Sequence, residues 1–365
     1  MISVEEELIP SDIIFKKNYN LKKLLDDFGK PQNNFSVISI VGTNGKGSTS
    51  QFIFSGLKTK FKNVGLFISP AFIYQNERIQ FNTEMISDND LKRLLLDNEK
   101  VIKKYELTFF EIWTFIAILY FNEKKVDVAV IEAGIGGFKD STNVFEKQLA
   151  VCVTSLGLDH QEILGPSIEE IIYQKLAIAK KNVKIFISAD NLQYKKIIDK
   201  VNLNKKIYTK QIEDSIYYQS FNKGLALETL KYLDIPFASF SKSPLGRFTI
   251  LKTDPLLILD GCHNYDGAVK LSKQIKDIDN LIILFGSSER KDQIKILEVF
   301  KKIKKEIFLT EFIHKKSWKI DKNKFKEFKI IDNWEVFLDN NKDKNILVCG
   351  SLYFIPLVYK WFEVR

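Results

Sequence analysis

Gly42-Thr43-Asn44-Gly45-Lys46-Gly47-Ser48 stands between an apolar, β-branched run at 37–41 and a segment that reads as helix over 49–60. Glycines let a backbone approach an anion closely, free amides and a helix start can face it, and Lys46 adds a point charge. The chemistry these residues suit is a phosphate cradle, with Thr43, Asn44, Gly45, Lys46, Gly47 and Ser48 around a nucleotide. The strict pattern G-x-x-x-x-G-K-[ST] is not met, because Ile40 occupies its first glycine and Gly47 follows the lysine. A glycine turn that merely joins strand to helix is the alternative.

Three further residues matter because of where they fall. Ser69, Glu132 and His160 each follow the C-terminal end of an apolar strand-like run, as the lysine loop does. In open α/β sheets that edge is where ligands bind. A hydroxyl, a carboxylate and an imidazole converging there would hold a hard cation bound to nucleotide phosphates. Singly, each has a plainer reading: a turn cap, a surface acid, a buried histidine.

The elements that must position them alternate. Strands are read at 37–41, 64–68, 126–131, 149–154 and 184–187. Helices are read at 21–28, 49–60 and 87–105, and from the capping-box spacing of Thr108 and Glu111 through an apolar run to 121. Asn76-Glu77-Arg78-Ile79 reads as a polar connection. Ser167 and Glu170 repeat the capping-box spacing before a helix that carries Lys175. After the loop-like stretch 237–244 a second alternation follows, with strands at 256–259, 281–285, 307–309 and 346–349. The fold class is α/β: a P-loop N-terminal domain with a mostly parallel sheet over 1–242, then a smaller Rossmann-like α/β C-terminal domain over 243–365.

The 365 residues, 45% hydrophobic and 28% charged, are those of a globular chain long enough for two domains. The net charge of +9 comes from scattered lysines, not a basic arm, which favours small anionic substrates over nucleic acid. The apolar window 109–121 is too short to span a bilayer, and 1–10 does not read as a signal peptide. Cys152, Cys262 and Cys349 form no C-x-x-C and read as reduced thiols. A cytoplasmic monomer without nucleic-acid or membrane partners is expected.

The phosphate loop resembles that of the folylpolyglutamate synthase/dihydrofolate synthase family, relatives of the muramyl-peptide ligases. The resemblance continues through Ser69-Pro70, Asn76-Glu77-Arg78-Ile79, Glu132-Ala133-Gly134-Ile135-Gly136-Gly137, Asp140-Ser141-Thr142-Asn143-Val144 and Asp159-His160. It resumes at Gly246-Arg247-Phe248, Leu259-Asp260-Gly261-Cys262-His263-Asn264 and Gly350-Ser351-Leu352-Tyr353, spanning both domains.

The resemblance implies an ATP-dependent ligase that adds L-glutamate to dihydropteroate and to reduced folates through an acyl phosphate. By position it implies Mg²⁺ ligands at Ser69, Glu132, His160 and Lys175, two ions in all, with Lys175 carried as N6-carboxylysine. It assigns Lys46, His160, Lys175 and Arg247 to catalysis. Asn222, Arg247, Asp260 and His263 are assigned to ATP, with Arg247 reaching the phosphates and Asp260 the ribose. Pterin or folate contacts are implied at Thr108, Phe109, Phe110, Glu111, Lys139 and Asp140. The sequence departs from the family at Ala71, Phe72, Phe138, Lys139, Gln174, Leu176 and Ala177, and at Arg290-Lys291-Asp292. A single-activity synthase and a muramyl-type ligase remain alternatives, separable by acceptor. A P-loop NTPase switch would use ATP without glutamate.

Overall fold

Val37, Ile38, Ile40 and Val41 are fully buried, which a strand achieves only when both sheet faces are covered. The computed structural model describes residues 1–9, 20–201, 203–236, 239–289 and 292–364. Expectations touching Pro10, Phe237, Ala238, Arg290 and Lys291 lie outside the described residues. The chain divides into two units: Met1–Glu213 with Gln219–Lys242, and Asp214–Tyr218 with Ser243–Arg365.

The first unit is built on an eight-stranded sheet in the order β4-β3-β2-β5-β1-β6-β7-β8. Its strands are β1 Ser36–Val41, β2 Val64–Phe67, β3 Ile79–Phe81, β4 Glu84–Met85, β5 Val128–Glu132, β6 Gln148–Val153, β7 Ile185–Ile187 and β8 Lys206–Tyr208. All pair in parallel except β2 with β3 and β3 with β4. Its helices are α1 Leu21–Asp27, α2 Lys46–Leu57, α3 Asp88–Asp97, α4 Glu99–Lys104, α5 Phe109–Glu123, α6 Gln161–Leu164, α7 Ile168–Leu176 and α8 Lys195–Val201. Helix α9, Tyr217–Tyr232, begins among residues of the second unit. Strand alternation feeds two cores: Val37, Ala129 and Ile131 pack with α5, whereas Ile38, Ile40, Val128 and Val130 pack with α2 and α9. Register pairs Ile40 with Glu132 and Val41 with Val153, so the loops after β1, β5 and β6 emerge side by side.

Three sequence expectations are corrected. Helix α2 starts at Lys46, not near 49, because Gly45 at φ 92° supplies the N-cap and the lysine itself is in the first turn. The helix expected over 87–105 breaks at Asn98, whose Nδ2 donates to the Leu94 carbonyl and ends α3. The polar connection at 76–79 is not a solvated loop: Asn76 and Arg78 are buried in a 3-10 turn, Gln75–Arg78, that leads into β3.

The second unit carries a six-stranded sheet, β13-β12-β11-β14-β10-β9. Its strands are β9 Thr249–Thr253, β10 Leu256–Asp260, β11 Leu281–Phe285, β12 Glu306–Thr310, β13 Lys329–Ile331 and β14 Asn345–Cys349. Only β9 runs antiparallel to its neighbour. Helices α10 Tyr265–Ile275, α11 Gln293–Lys301, α12 Trp334–Asn340 and α13 Ile355–Glu363 complete it. Among the described residues no helix is long and apolar enough to cross a membrane. Cys152, Cys262 and Cys349 are free and buried.

Candidate active site

The loop between β1 and α2 requires glycine at two positions. Gly42 has φ 147° and Gly45 φ 92°. A Cβ on the first would overlap the Thr154 hydroxyl, and on the second the Asn222 Oδ1. Asn222 is held over Gly45 by α9: its Nδ2 donates to Gln219 Oε1 (2.9 Å), and Gln219 Nε2 donates to Ser48 Oγ (3.2 Å). The other side of the loop is tied to the segment after β6. Thr43 N–H donates to the Ser155 carbonyl (2.6 Å), and Thr43 Oγ1 donates to the Gly157 carbonyl (3.0 Å). Lys46 Nζ lies 3.2 Å from the carbonyls of both Gly42 and Thr43, closing the loop from within.

Lys175 shares one of those carbonyls. Its Nζ donates to the Gly42 oxygen at 2.7 Å, and the side chain is buried. Desolvation, then the neighbouring Lys46 charge, push its pKa down to about 7, against weaker opposition from Asp159 and Asp140. Helix α7 reaches this point because Gly137 has no side chain: a Cβ there would stand 2.6 Å from the Lys175 carbonyl. Glu132 is buried, with its Oε2 3.3 Å from the Ser69 amide and close enough to α2 that a Gly47 Cβ would lie 3.6 Å away. Ser69 Oγ accepts from Arg78 (3.0 Å). His160 opens α6 at φ 52°, with Nδ1 3.7 Å from Glu162 Oε1. Among the described residues no three of His, Cys, Asp and Glu form a metal-holding group.

The segment assigned to the pterin divides in two. Thr108 and Glu111 form a complete capping box, and Glu111 Oε1 also accepts from the Leu21 amide (2.9 Å). Phe110 packs on Gly134 in the loop after β5, and its ring centroid lies 5.7 Å from that of Phe67. Asp140 is likewise committed: Oδ2 accepts from the Ile135 amide (2.8 Å), and Oδ1 from the Thr142 amide (3.0 Å) and hydroxyl (2.6 Å). Burial raises its pKa, and those donors resist the rise. Lys139 is exposed.

In the second unit Asp260 ends β10 and is buried. Its Oδ2 accepts from the Tyr218 hydroxyl (2.5 Å) and the Phe248 amide (3.0 Å), and Oδ1 accepts from the Cys262 amide (2.8 Å). Burial raises its pKa, opposed by Tyr218 and by the charge of Arg247. Phe248 is held at φ 56°, strained for a residue with a Cβ, so Asp260 stabilises the turn that presents Arg247. Arg247 NH1 donates to the Gly246 carbonyl (3.1 Å) and passes over Gly261, where a Cβ would stand 2.6 Å from it. His263 Nδ1 lies 2.7 Å from the Gly261 carbonyl; a carbonyl only accepts, so the proton is on Nδ1.

The description Mur ligase middle domain matches residues 40–250. The chain belongs to the Mur ligase family. This Mur ligase is 29% identical, over an alignment 411 positions long, to the dihydrofolate synthase/folylpolyglutamate synthase of Bacillus subtilis, covering 93% of each chain. It superposes on the folylpolyglutamate synthase of Thermotoga maritima with TM-score 0.78 and 26% identity, covering 94% of this chain and 92% of that one. A Yersinia pestis bifunctional folylpolyglutamate synthase/dihydrofolate synthase, solved with AMPPNP and Mn, shares the fold at TM-score 0.85 and 20% identity, covering 98% and 96%.

The sequence does not disclose the roles of two residues of this Mur ligase. Tyr218 gives no local signal, because its partner lies 42 positions away. Arg78 was visible within a motif, yet nothing in its neighbours suggested that it is buried against Ser69. The residues do fit a nucleotide and a divalent cation: the loop is a cradle that a Cβ would fill, and Glu132, His160 and Ser69 are oxygen and nitrogen donors.

Proposed function

We propose that this enzyme is an ATP-dependent ligase that adds L-glutamate both to dihydropteroate and to reduced folate. The observation that carries the reading is the lysine loop flanked by Glu132 and the buried, pKa-lowered Lys175, in a chain that matches the Bacillus subtilis dihydrofolate synthase/folylpolyglutamate synthase over 93% of its length. The loop amides and Lys46 bind the β- and γ-phosphates of ATP, and Asn222 contacts the adenine. Arg247, Asp260 and His263 are assigned to the nucleotide, Arg247 to its phosphate charge.

Ser69, Glu132, His160 and Lys175 would hold divalent cations, two in number. Bound there, the cations neutralise phosphate charge so that an anionic carboxylate can approach. Lys175 would serve as a carbamate: its neutral amine adds CO₂ and gives up one proton, the remaining N–H donates to the Gly42 carbonyl, and the new carboxylate would be a ligand. The acceptor carboxylate takes the γ-phosphoryl group and ADP leaves. The glutamate amine then attacks the acyl phosphate, and the tetrahedral adduct expels inorganic phosphate to give the amide. Phe109 and Phe110 present aromatic faces to the pterin, with Thr108, Glu111, Lys139 and Asp140 framing that segment. The protein acts as a monomer on small molecules alone.

The deciding experiment supplies ATP, Mg²⁺ and glutamate with dihydropteroate or a reduced folate in separate reactions. ADP release is followed, and products are weighed by mass spectrometry. Addition to both acceptors is expected. Addition to one reduces the enzyme to a single synthase, and ADP release that needs no glutamate overturns the ligase.

A further inference from the structure

Arg78 spends its charge in an unusual place. It is buried in the 3-10 turn before β3, with Nε donating to Gln75 Oε1 (3.1 Å) and NH1 donating to Ser69 Oγ (3.0 Å). Two rings of α5 lie against the guanidinium, with centroids 5.6 Å (Phe109) and 5.1 Å (Trp113) from its carbon. Such contacts compensate part of the cost of burying a cation. Gln75 is fixed in turn, because its Nε2 donates to the carbonyls of Val4 and Glu6 (3.3 and 3.4 Å). The loop between Ser69 and the turn is pinned as well: Glu77 accepts from the amides of Phe72 (2.6 Å), Ile73 (2.8 Å) and Tyr74 (2.8 Å).

Ser69 is thereby held at two atoms, its amide by Glu132 and its hydroxyl oxygen by Arg78. A serine side chain on a loop otherwise samples three rotamers. An arginine fork with its own position locked selects one, and a lysine in its place lacks the fork geometry. We propose that Arg78 is the positioning residue of Ser69, setting the orientation in which that hydroxyl meets a divalent cation. The proposal rests on Ser69 acting as a ligand in the function above. It adds that the aromatic start of α5, through Phe109 and Trp113, supports the cation site.

Charge and position pull in opposite directions here, which makes the role testable. A guanidinium beside a cation site repels the cation, so its charge alone gives no reason for tight binding. Arg78→Lys keeps the charge and removes the fork. The readout is Mn²⁺ affinity, measured by electron paramagnetic resonance on the full chain with a non-hydrolysable ATP analogue. The variants are Arg78→Lys, Ser69→Ala and the double mutant. Partners of ligands, when removed, typically cost about 10- to 100-fold in metal affinity. About tenfold weakening is expected from Arg78→Lys in the Ser69 background and none in the Ser69→Ala background. Gln75→Met, a smaller change that frees Nε, gives the same dependence on Ser69 and covers the case in which Arg78→Lys does not fold. Unchanged Mn²⁺ affinity, or equal weakening in both backgrounds, overturns the positioning role while leaving Ser69 a ligand. No effect of Ser69→Ala itself removes the ligand assignment, and the proposal with it.

Discussion

Lys175 allows the sharpest test, because burial fixes both a chemical and a thermodynamic consequence. Its pKa falls from 10.5 to about 7, which biases the site against the ammonium by about 5 kcal/mol at 1.36 kcal/mol per unit. Carbamate formation needs the neutral amine. At pH 7.5 about three quarters of Lys175 is neutral, against roughly one part in a thousand for an ordinary lysine. By pH 6 the neutral share drops to about one tenth, and because carbamate formation also releases a proton, carboxylation at constant dissolved CO₂ should fall by more than about eightfold between those values. The assay is ¹³C NMR of the protein equilibrated with labelled bicarbonate at each pH, with Lys175→Arg as the blank. A carbamate resonance that persists in the blank, or one whose midpoint lies near 10, refutes the assignment.

The same shift governs stability. In the unfolded chain Lys175 keeps its proton up to about 10.5, whereas the folded chain has lost it above about 7. Between those limits the unfolded state binds more protons, so unfolding free energy rises with pH, and the gain disappears as pH falls to 7. Over two units of that window the gain is about 2.7 kcal/mol. Lys175→Met should therefore be more stable than the parent at pH 6, with an advantage that shrinks by about that amount at pH 9. Urea denaturation at both values measures it, and an advantage independent of pH would contradict the burial argument.

Gly45→Ala forces a Cβ into the Asn222 carboxamide at φ 92°, and should abolish ATP-analogue binding by calorimetry and also lower the melting temperature, because the backbone there is strained for a residue with a Cβ. Gly261→Ala displaces the Arg247 guanidinium and the Leu352 side chain; kcat for ADP release should fall by about 100-fold, toward the value of Arg247→Ala. Tyr218→Phe leaves buried Asp260 one donor short and should cost about 1–3 kcal/mol in urea denaturation, with Asn264→Ala at the α10 N-cap as a comparator of about 1 kcal/mol. Glu111→Gln should lower stability by a similar 1–3 kcal/mol and leave the acceptor KM within about twofold; a large KM change at constant stability would assign Glu111 to the pterin instead.

The strands were legible where periodicity or length left one choice. Leu281–Phe285 is buried at every position and was read with its observed bounds. The apolar helix after Thr108 was legible because its cap is local: Thr108 and Glu111 sit three residues apart and satisfy each other. What stayed hidden was non-local. The edge hairpin of β3 and β4 consists of short segments whose faces are not clearly patterned, and β9 is half exposed. Residues 214–218 pack with the second unit through the Tyr218 hydroxyl and the Tyr217 amide, which reach Asp260 and Gln274 across 42 and 57 positions.

The site residues show the same limit in chemical form. A carboxylate at the end of a strand can bind a ligand or tie down the loop that binds it, and both uses require burial. Asp140 gives both oxygens to donors of its own loop, Asp260 gives its two to Cys262 beside it and to Phe248 and Tyr218 further away, and Glu111 gives both to the start of α5 and to Leu21. Each therefore does structural work whether or not it also meets substrate. Removing one donor from a buried carboxylate costs more than the bond itself contributes, because the charge stays desolvated. Selection for loop geometry alone would keep such residues. Glu132 differs in position: it faces the Ser69 amide and the first turn of α2, where the helix dipole favours an anion. The family motifs thus mix two kinds of residue that sequence cannot separate. One kind, Lys46, Glu132 and Lys175, presents ionisable groups to the loop after β1. The other, Glu77, Arg78 and Asp140, holds neighbouring loops fixed, as Tyr218 does for the Asp260 turn of the second unit.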